Sequence, residues 1–389
     1  MASATTAKAW RFTSTGQPSE ILRLEEVPMP TLPPPPALLF SKKRNNKASS
    51  ADREQEEWLI VRVAYTALNP GSQFHFNVIP AFARARTCTP ELDFSGTVVD
   101  VWRPDQHDSA SRGDQGPSRG FSKGDEVIGF MPITYTYPTG DGALTNYIRV
   151  PARYVIRKPE SVTLKEGAGL MCASCSAVML TDEAHVKRGD RVLIVGASGG
   201  IGTSAVQLAK SLVAESGGEG LVVAVCSGRN QELVLGLGAD EVIDYTKHED
   251  LAAELTRRFA DKPFDAILDV HGNQAVYVQC ANYLKAGADY VACSAQLESW
   301  TLGHFLRTFW LIQCNTYWPL SCWLGGTGRK FKLIAMMDPG RALMEKTASL
   351  AEAGTLKVCV DSVWEYENAL QAYEILISGR ARGKVLVKW

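Results

Sequence analysis

The stretch RVLIVGASGGIGTSAVQLAK, residues 191–210, decides the fold. Val192, Leu193, Ile194 and Val195 form an unbroken aliphatic run, which reads as a strand buried on both faces. From Ile201 to Ala214 the apolar residues Ile201, Ala205, Leu208, Ala209 and Leu212 recur at helical spacing. Between strand and helix stand Ala197, Ser198, Gly199, Gly200, Ile201 and Gly202, a dinucleotide-turn pattern with alanine in its first place. Gly199 lets the backbone approach a pyrophosphate and Gly202 lets the helix pack close to the strand. The helix N-terminus offers N–H groups and a partial positive charge to the phosphates. All six residues are candidate cofactor contacts.

Downstream, LVVAVC, EVIDY, FDAILDV and DYVACSA are further apolar strands, separated by the helical stretches QELVLGLG, EDLAAELTRRFA and QAVYVQCANYLK. That alternation predicts an α/β Rossmann domain with a doubly wound parallel sheet. An NAD site places an acid at the end of the second strand, whereas this chain reads Val225-Cys226-Ser227-Gly228-Arg229-Asn230. Ser227 can donate to a 2′-phosphate and Arg229 can pair with its charge, so the expected cofactor is NADPH, with Asn230 in the same loop. Val270, closing FDAILDV, and Ser294, following DYVAC, are candidates at the nicotinamide end.

Upstream, LRLEEVPMP, WLIVRVAYTALN, LDFSGTVVDVW, DEVIGF and TNYIRVP are short strands punctuated by Gly and Pro, which suggests a partly open β-barrel. Two polar inserts, 33–57 and 103–120, suit solvated loops. After Ala335 come two helical stretches, GRALMEKTASLAEAG and ENALQAYEILISG, and a last strand, KVLVKW. The expected domains are 1–155 for the barrel, 156–334 for the Rossmann domain, and 335–389 returning to the barrel.

A chain of 389 residues exceeds what one core usually supports, which agrees with two domains. A net charge of −1 provides no field to attract nucleic acid, so the expected partner is a small-molecule substrate. Nine scattered cysteines and a start without an apolar signal core fit reduced thiols in the cytoplasm. Leu302 to Gly326 is aromatic-rich but interrupted by His304, Arg307, Gln313, Asn315 and Pro319, so no integral membrane span is expected. Its predicted use is a pocket wall or a subunit contact, with a homodimer as the assembly open to it.

VLIVGASGGIGTSAVQLAK and CSGRNQELVLGLGADEVIDY resemble the nucleotide domain of the medium-chain dehydrogenase/reductase superfamily, in its zinc-free quinone-oxidoreductase and enoyl-reductase branch. AYTALNPGS and ELDFSGTVVDV resemble the GroES-like barrel motifs of that superfamily, and SGRARGKVLV resembles its closing strand. The resemblance implies that Asn69 lies beside the nicotinamide ribose and substrate, and that the Ser176 hydroxyl faces the cofactor. It also implies that Tyr245 lies by the adenosine phosphate and Lys384 near the phosphates. Ser72 replaces an aspartate common in the family, and the tyrosine of enoyl-thioester reductases has no counterpart in QFHFNVIPAFARA.

Zinc-dependent members of the superfamily bind the metal through a Cys, a His-Glu pair and a later Cys. Here the first position is Asn69, the His-Glu position lies in the Leu92-Asp93-Phe94 region, and the four-cysteine structural lobe is missing, so no metal is expected. Without that Lewis acid, hydride transfer to a conjugated acceptor (a quinone, enone or enoyl group) is the expected reaction. Tyr147 joins Asn69 as a candidate catalytic contact, with Tyr65 and His75 as weaker ones. The competing reading is a nucleotide-binding accessory protein whose redox activity is weak or lost.

Overall fold

The computed structural model describes residues 6–34, 56–103, 120–214, 220–297, 299–318 and 322–389. Both polar inserts fall almost wholly outside the described residues. The strands in chain order begin with β1 (Thr6–Arg11) and β2 (Arg23–Pro28), which pair antiparallel. Next come β3 (Trp58–Ala67), β4 (Asp93–Trp102), β5 (Glu126–Phe130), β6 (Tyr147–Pro151) and β7 (Val155–Arg157). The second half carries β8 (Arg191–Val195), β9 (Leu221–Cys226), β10 (Glu241–Asp244), β11 (Ala266–Asp269), β12 (Asp289–Ala292) and β13 (Lys330–Leu333). The chain closes with β14 (Val360–Glu365) and β15 (Lys384–Lys388).

β8 to β13 make a six-stranded parallel sheet in the order β10-β9-β8-β11-β12-β13. The direction of winding reverses between β8 and β11, which defines the switch point where open α/β sheets bind ligands. The aliphatic run of β8 is explained by its two packed faces. Val192 and Ile194 join one core with Val206 and Leu208, while Leu193 and Val195 join another with Phe259 and Tyr283. Each such side chain contributes roughly 1.5–3 kcal/mol of burial.

The barrel sheet has seven strands in the order β14-β15-β3-β4-β5-β7, with β6 paired to β3. The β3–β4 ladder runs antiparallel from Trp58↔Trp102 to Ala67↔Asp93, so Asp93 lies opposite the end of β3 from which Asn69 follows. β15 pairs with β3 and β14 with β15, which brings the C-terminal strands into the barrel. The helix Gly340–Glu352 behaves differently. Met344, Ala348 and Ala351 enter the core shared with Val192, Ile194 and barrel residues Ile128 and Phe130, so this part of 335–389 wedges between the sheets.

Four strands escape the sequence pattern. β1, β7 and β14 are short or irregularly alternating, and β13 (KFKL) is an edge strand with no fully buried side chain.

Candidate active site

The nucleotide end is built by the turn after β8. Gly196 takes φ +84, and the N–H groups of Gly196 and Ala197 both donate to the Val225 carbonyl, at 3.1 and 3.0 Å. The helix Gly200–Val213 then starts from Gly199 with no side-chain cap. A Cβ placed on Gly199 would find nothing nearer than the Gly196 oxygen at 4.0 Å, whereas one on Gly202 would lie 2.2 Å from that same oxygen. Gly199 thus faces open space beside uncapped donors, and Gly202 is a packing glycine. Ala197 is fully buried, Ile201 half-buried, and the Ser198 Oγ accepts from Asn230 Nδ2 at 2.8 Å. Pyrophosphate chemistry fits this cradle.

At the end of β9, Ser227 is half-buried and Arg229 exposed. Asn230 instead turns inward to Ser198, and its Oδ1 is buried without a hydrogen-bond partner among the described residues. The parallel register Asp244↔Cys226 sets Tyr245, 50% exposed, beside Ser227. That register also delivers a carboxylate unseen from β9 alone: a Cβ on Gly228 would lie 2.3 Å from Asp244 Oδ2. Asp244 is already engaged, accepting from the Thr246 hydroxyl at 2.7 Å and its N–H at 3.1 Å, and these bonds hold its carboxyl below the usual range.

The floor of the barrel side is a closed polar cluster. Lys384 Nζ donates to Asn69 Oδ1 at 2.7 Å and to the Leu68 carbonyl at 3.3 Å, and lies 3.5 Å from Asp93 Oδ2. Asn69 Nδ2 donates toward Ala67 O, Asp93 and Glu91 at 3.2, 3.3 and 3.4 Å. Glu91 holds the left-handed φ of +69, accepts from the Asn69 N–H at 3.0 Å, and takes the Tyr373 hydroxyl at 2.6 Å. Burial pushes its carboxyl up to about 7 and outweighs the downward pull of Tyr373, Ser72, Lys384 and Asn69. Burial likewise raises Asp93, which also accepts from the Cys172 N–H at 3.0 Å.

The structure therefore brings Asn69 and Lys384 together but spends their polar atoms on each other. Only the Lys384 stem approaches the nucleotide turn, its Cδ lying 3.0 Å from where a Cβ on Gly200 would sit. The Ser176 hydroxyl donates back to the Cys172 carbonyl at 2.7 Å. Tyr147 is not brought to Asn69: it pairs with Arg62, and five further strand residues, roughly 17 Å of chain, separate Arg62 from the end of β3. His75 is buried and stacked on Tyr137 at 4.1 Å, and desolvation lowers it to about 3, which keeps it neutral. Burial raises the Cys172 thiol and pushes Cys175 up to about 12, so neither is a ready thiolate.

At the switch point the Val270 N–H donates to the Val195 carbonyl at 2.9 Å, and Ser294 lines a small cavity with Asp269, Gly272, Gln296 and Thr308. The helix Leu302–Tyr317 covers that cavity, and Phe305 packs on Phe74 of the barrel side with ring centroids 5.0 Å apart. Its outer face does not bury the aromatics as a pocket wall would: Trp310 is 68%, Tyr317 79% and Trp323 beyond it 96% exposed. Among the described residues, no helix is long and apolar enough to cross a membrane.

The profile of the family "Zinc-binding dehydrogenase" matches residues 237–387. The medium chain reductase pydE of an Acremonium species is 33% identical over 348 residues, covering 85% of this chain and 89% of that one. The trans-enoyl reductase poxH of Penicillium oxalicum is 28% identical and covers 100% of this chain and 99% of its own. Among solved structures, the quinone oxidoreductase of Coxiella burnetii superposes with a TM-score of 0.69 at 22% identity, covering 99% of both chains. With a GroES-like barrel joined to a Rossmann sheet, and a relative this similar over most of its length, the chain belongs to the medium-chain dehydrogenase/reductase superfamily.

Proposed function

We propose that this protein is an NADPH-dependent reductase of conjugated acceptors (quinones, enones or enoyl groups) that works without zinc. The observation that carries the reading is the nucleotide cradle: open space over Gly199 and an uncapped helix start, with exposed Arg229 beside Ser227 at the end of β9. A bound reduced nicotinamide supplies the hydride. The chain's own part is to hold the dinucleotide across the switch point, to use Ser227, Arg229 and Tyr245 on the 2′-phosphate, and to bound the acceptor on one side by the packed Phe74–Phe305 pair.

Zinc independence rests on residue types. Asn69 and the Leu92-Asp93-Phe94 region stand where zinc-dependent members carry ligands, and Lys384 lies 3.5 Å from Asp93, an unfavourable neighbour for a dication. No His, Cys, Asp and Glu side chains among the described residues group as a metal ligand set. The name of one relative, a trans-enoyl reductase, supports the acceptor class.

The test is NADPH consumption against a panel of quinones, enones and enoyl thioesters, with zinc content measured on the same sample. Turnover of at least one acceptor by zinc-free protein is expected. Tight NADPH binding with no turnover would favour an accessory role, which the internally spent Asn69 amide supports. From the scattered cysteines we further propose a cytoplasmic location, and we assign the outer face of Leu302–Tyr317, beside the edge strand β13, to a homodimer contact.

A further inference from the structure

His271 follows β11 at the switch point and has no role in the family resemblance. It stands directly against the nucleotide turn: a Cβ on Gly196 would lie 3.3 Å from both the His271 Cβ and its backbone nitrogen. The loop that presents it is built with unusual care. Asp269, 1% exposed, accepts the backbone N–H groups of His271, Gly272 and Asn273 at 2.9, 2.8 and 2.7 Å, and the Tyr290 hydroxyl at 2.5 Å. Gly272, with φ +80, lies so close to the next strand's exit that a Cβ there would meet Ser294 O and Ala295 Cα at 2.5 Å. A buried carboxylate and a clamped glycine thus fix a loop from which the imidazole projects, exposed. Its Nε2 touches the Gln296 amide at 2.7 Å, an exposed partner that a ligand can replace.

We propose that His271 is a cofactor contact: its imidazole donates to the pyrophosphate of the dinucleotide as that ligand crosses from β8 to β11. This rests on the nicotinamide-cofactor reading above. Lys384, a second candidate, gives its ammonium to Asn69 and Leu68, whereas the imidazole stands at the crossing with an exposed, replaceable partner. Of the titratable groups around it, Asp269 is turned under the loop, and burial pushes the Cys293 thiol up to about 12. Neither competes for the phosphate.

The experiment titrates full-length protein with two fragments, 2′-phospho-ADP-ribose, which carries the pyrophosphate, and 2′-AMP, which does not. Wild type, His271→Ala and His271→Lys are compared by calorimetry, with melting temperatures as a check on folding. His271→Ala is expected to weaken 2′-phospho-ADP-ribose roughly tenfold and to leave 2′-AMP unchanged. His271→Lys should restore binding. Equal loss for both fragments, or no loss for either, would overturn the assignment while leaving the cofactor reading intact. Failure of wild type to bind either fragment would overturn the cofactor reading itself, and this inference with it.

Discussion

The two ends of the cleft are built on opposite principles. Around Gly199 the backbone donors are uncapped and the space above them is open, so the fold leaves its polar groups unspent for a ligand. Around Asn69 the fold spends everything: two carboxyls, an ammonium, an amide and a phenol satisfy one another out of water. The first end is a binding surface and the second is a keystone that joins β3, β4, β15 and the helix Ala369–Ile377. A residue type matched from a family pattern thus says where a side chain sits, and only its partners say what it is free to do.

The largest effect should come from breaking the keystone. Asp93→Ala strips an acceptor from Lys384, Asn69 and Cys172 at once and leaves a buried ammonium short of its partner. A loss of about 3–5 kcal/mol is expected, read as a lower urea midpoint, whereas an exposed location for this cluster would give under about 1 kcal/mol.

A second break uses pH. The Glu91 carboxyl is raised to about 7 from an ordinary 4.5, so the native state binds its proton more tightly than the unfolded chain. Its contribution is full below about pH 4.5 and fades as pH rises through 7, a change of about 3 kcal/mol at most. Wild-type stability should therefore fall relative to Glu91→Gln between pH 5 and pH 8. A constant difference between the two proteins across that range would show that Glu91 is not the titrating group.

At the binding end, Gly202→Val should cost about 1–3 kcal/mol, because its Cβ would meet the Gly196 oxygen at 2.2 Å and the turn must shift. Gly199→Ala, facing open space, should leave the melting temperature nearly unchanged while still weakening NADPH. If both variants behaved alike, the contrast between the packing glycine and the open one would be lost.

The sequence made the binding end legible because its signals are local. The aliphatic run of β8, the turn and the helix start lie within residues 191–210, and the absent acid after LVVAVC lies a few residues past the next strand. The keystone was not legible, because its bonds join residues far apart: Lys384 to Asn69, Tyr373 to Glu91, Asn69 to Asp93. Nothing local marks Glu91 as a left-handed residue, and nothing in β9 shows that parallel pairing brings Asp244 under its exit. The aromatic helix was legible as a pocket wall or a subunit contact, but its sequence did not say which face does which. Phe305 packs on Phe74 and the inner face covers the small cavity, while Trp310 and Tyr317 stay exposed on the outer face.

The account's central claim is that the cradle takes NADPH through the loop after β9, and paired titrations of NADPH and NADH test it most directly. Wild type should prefer NADPH, and Arg229→Ala should weaken NADPH by about 10- to 150-fold, the value of one charge-assisted hydrogen bond, while NADH changes little. Ser227→Asp should narrow or invert the preference by repelling the phosphate and accepting from the ribose hydroxyls. Equal affinity of wild type for both cofactors, or an equal loss of both in Arg229→Ala, would contradict the claim.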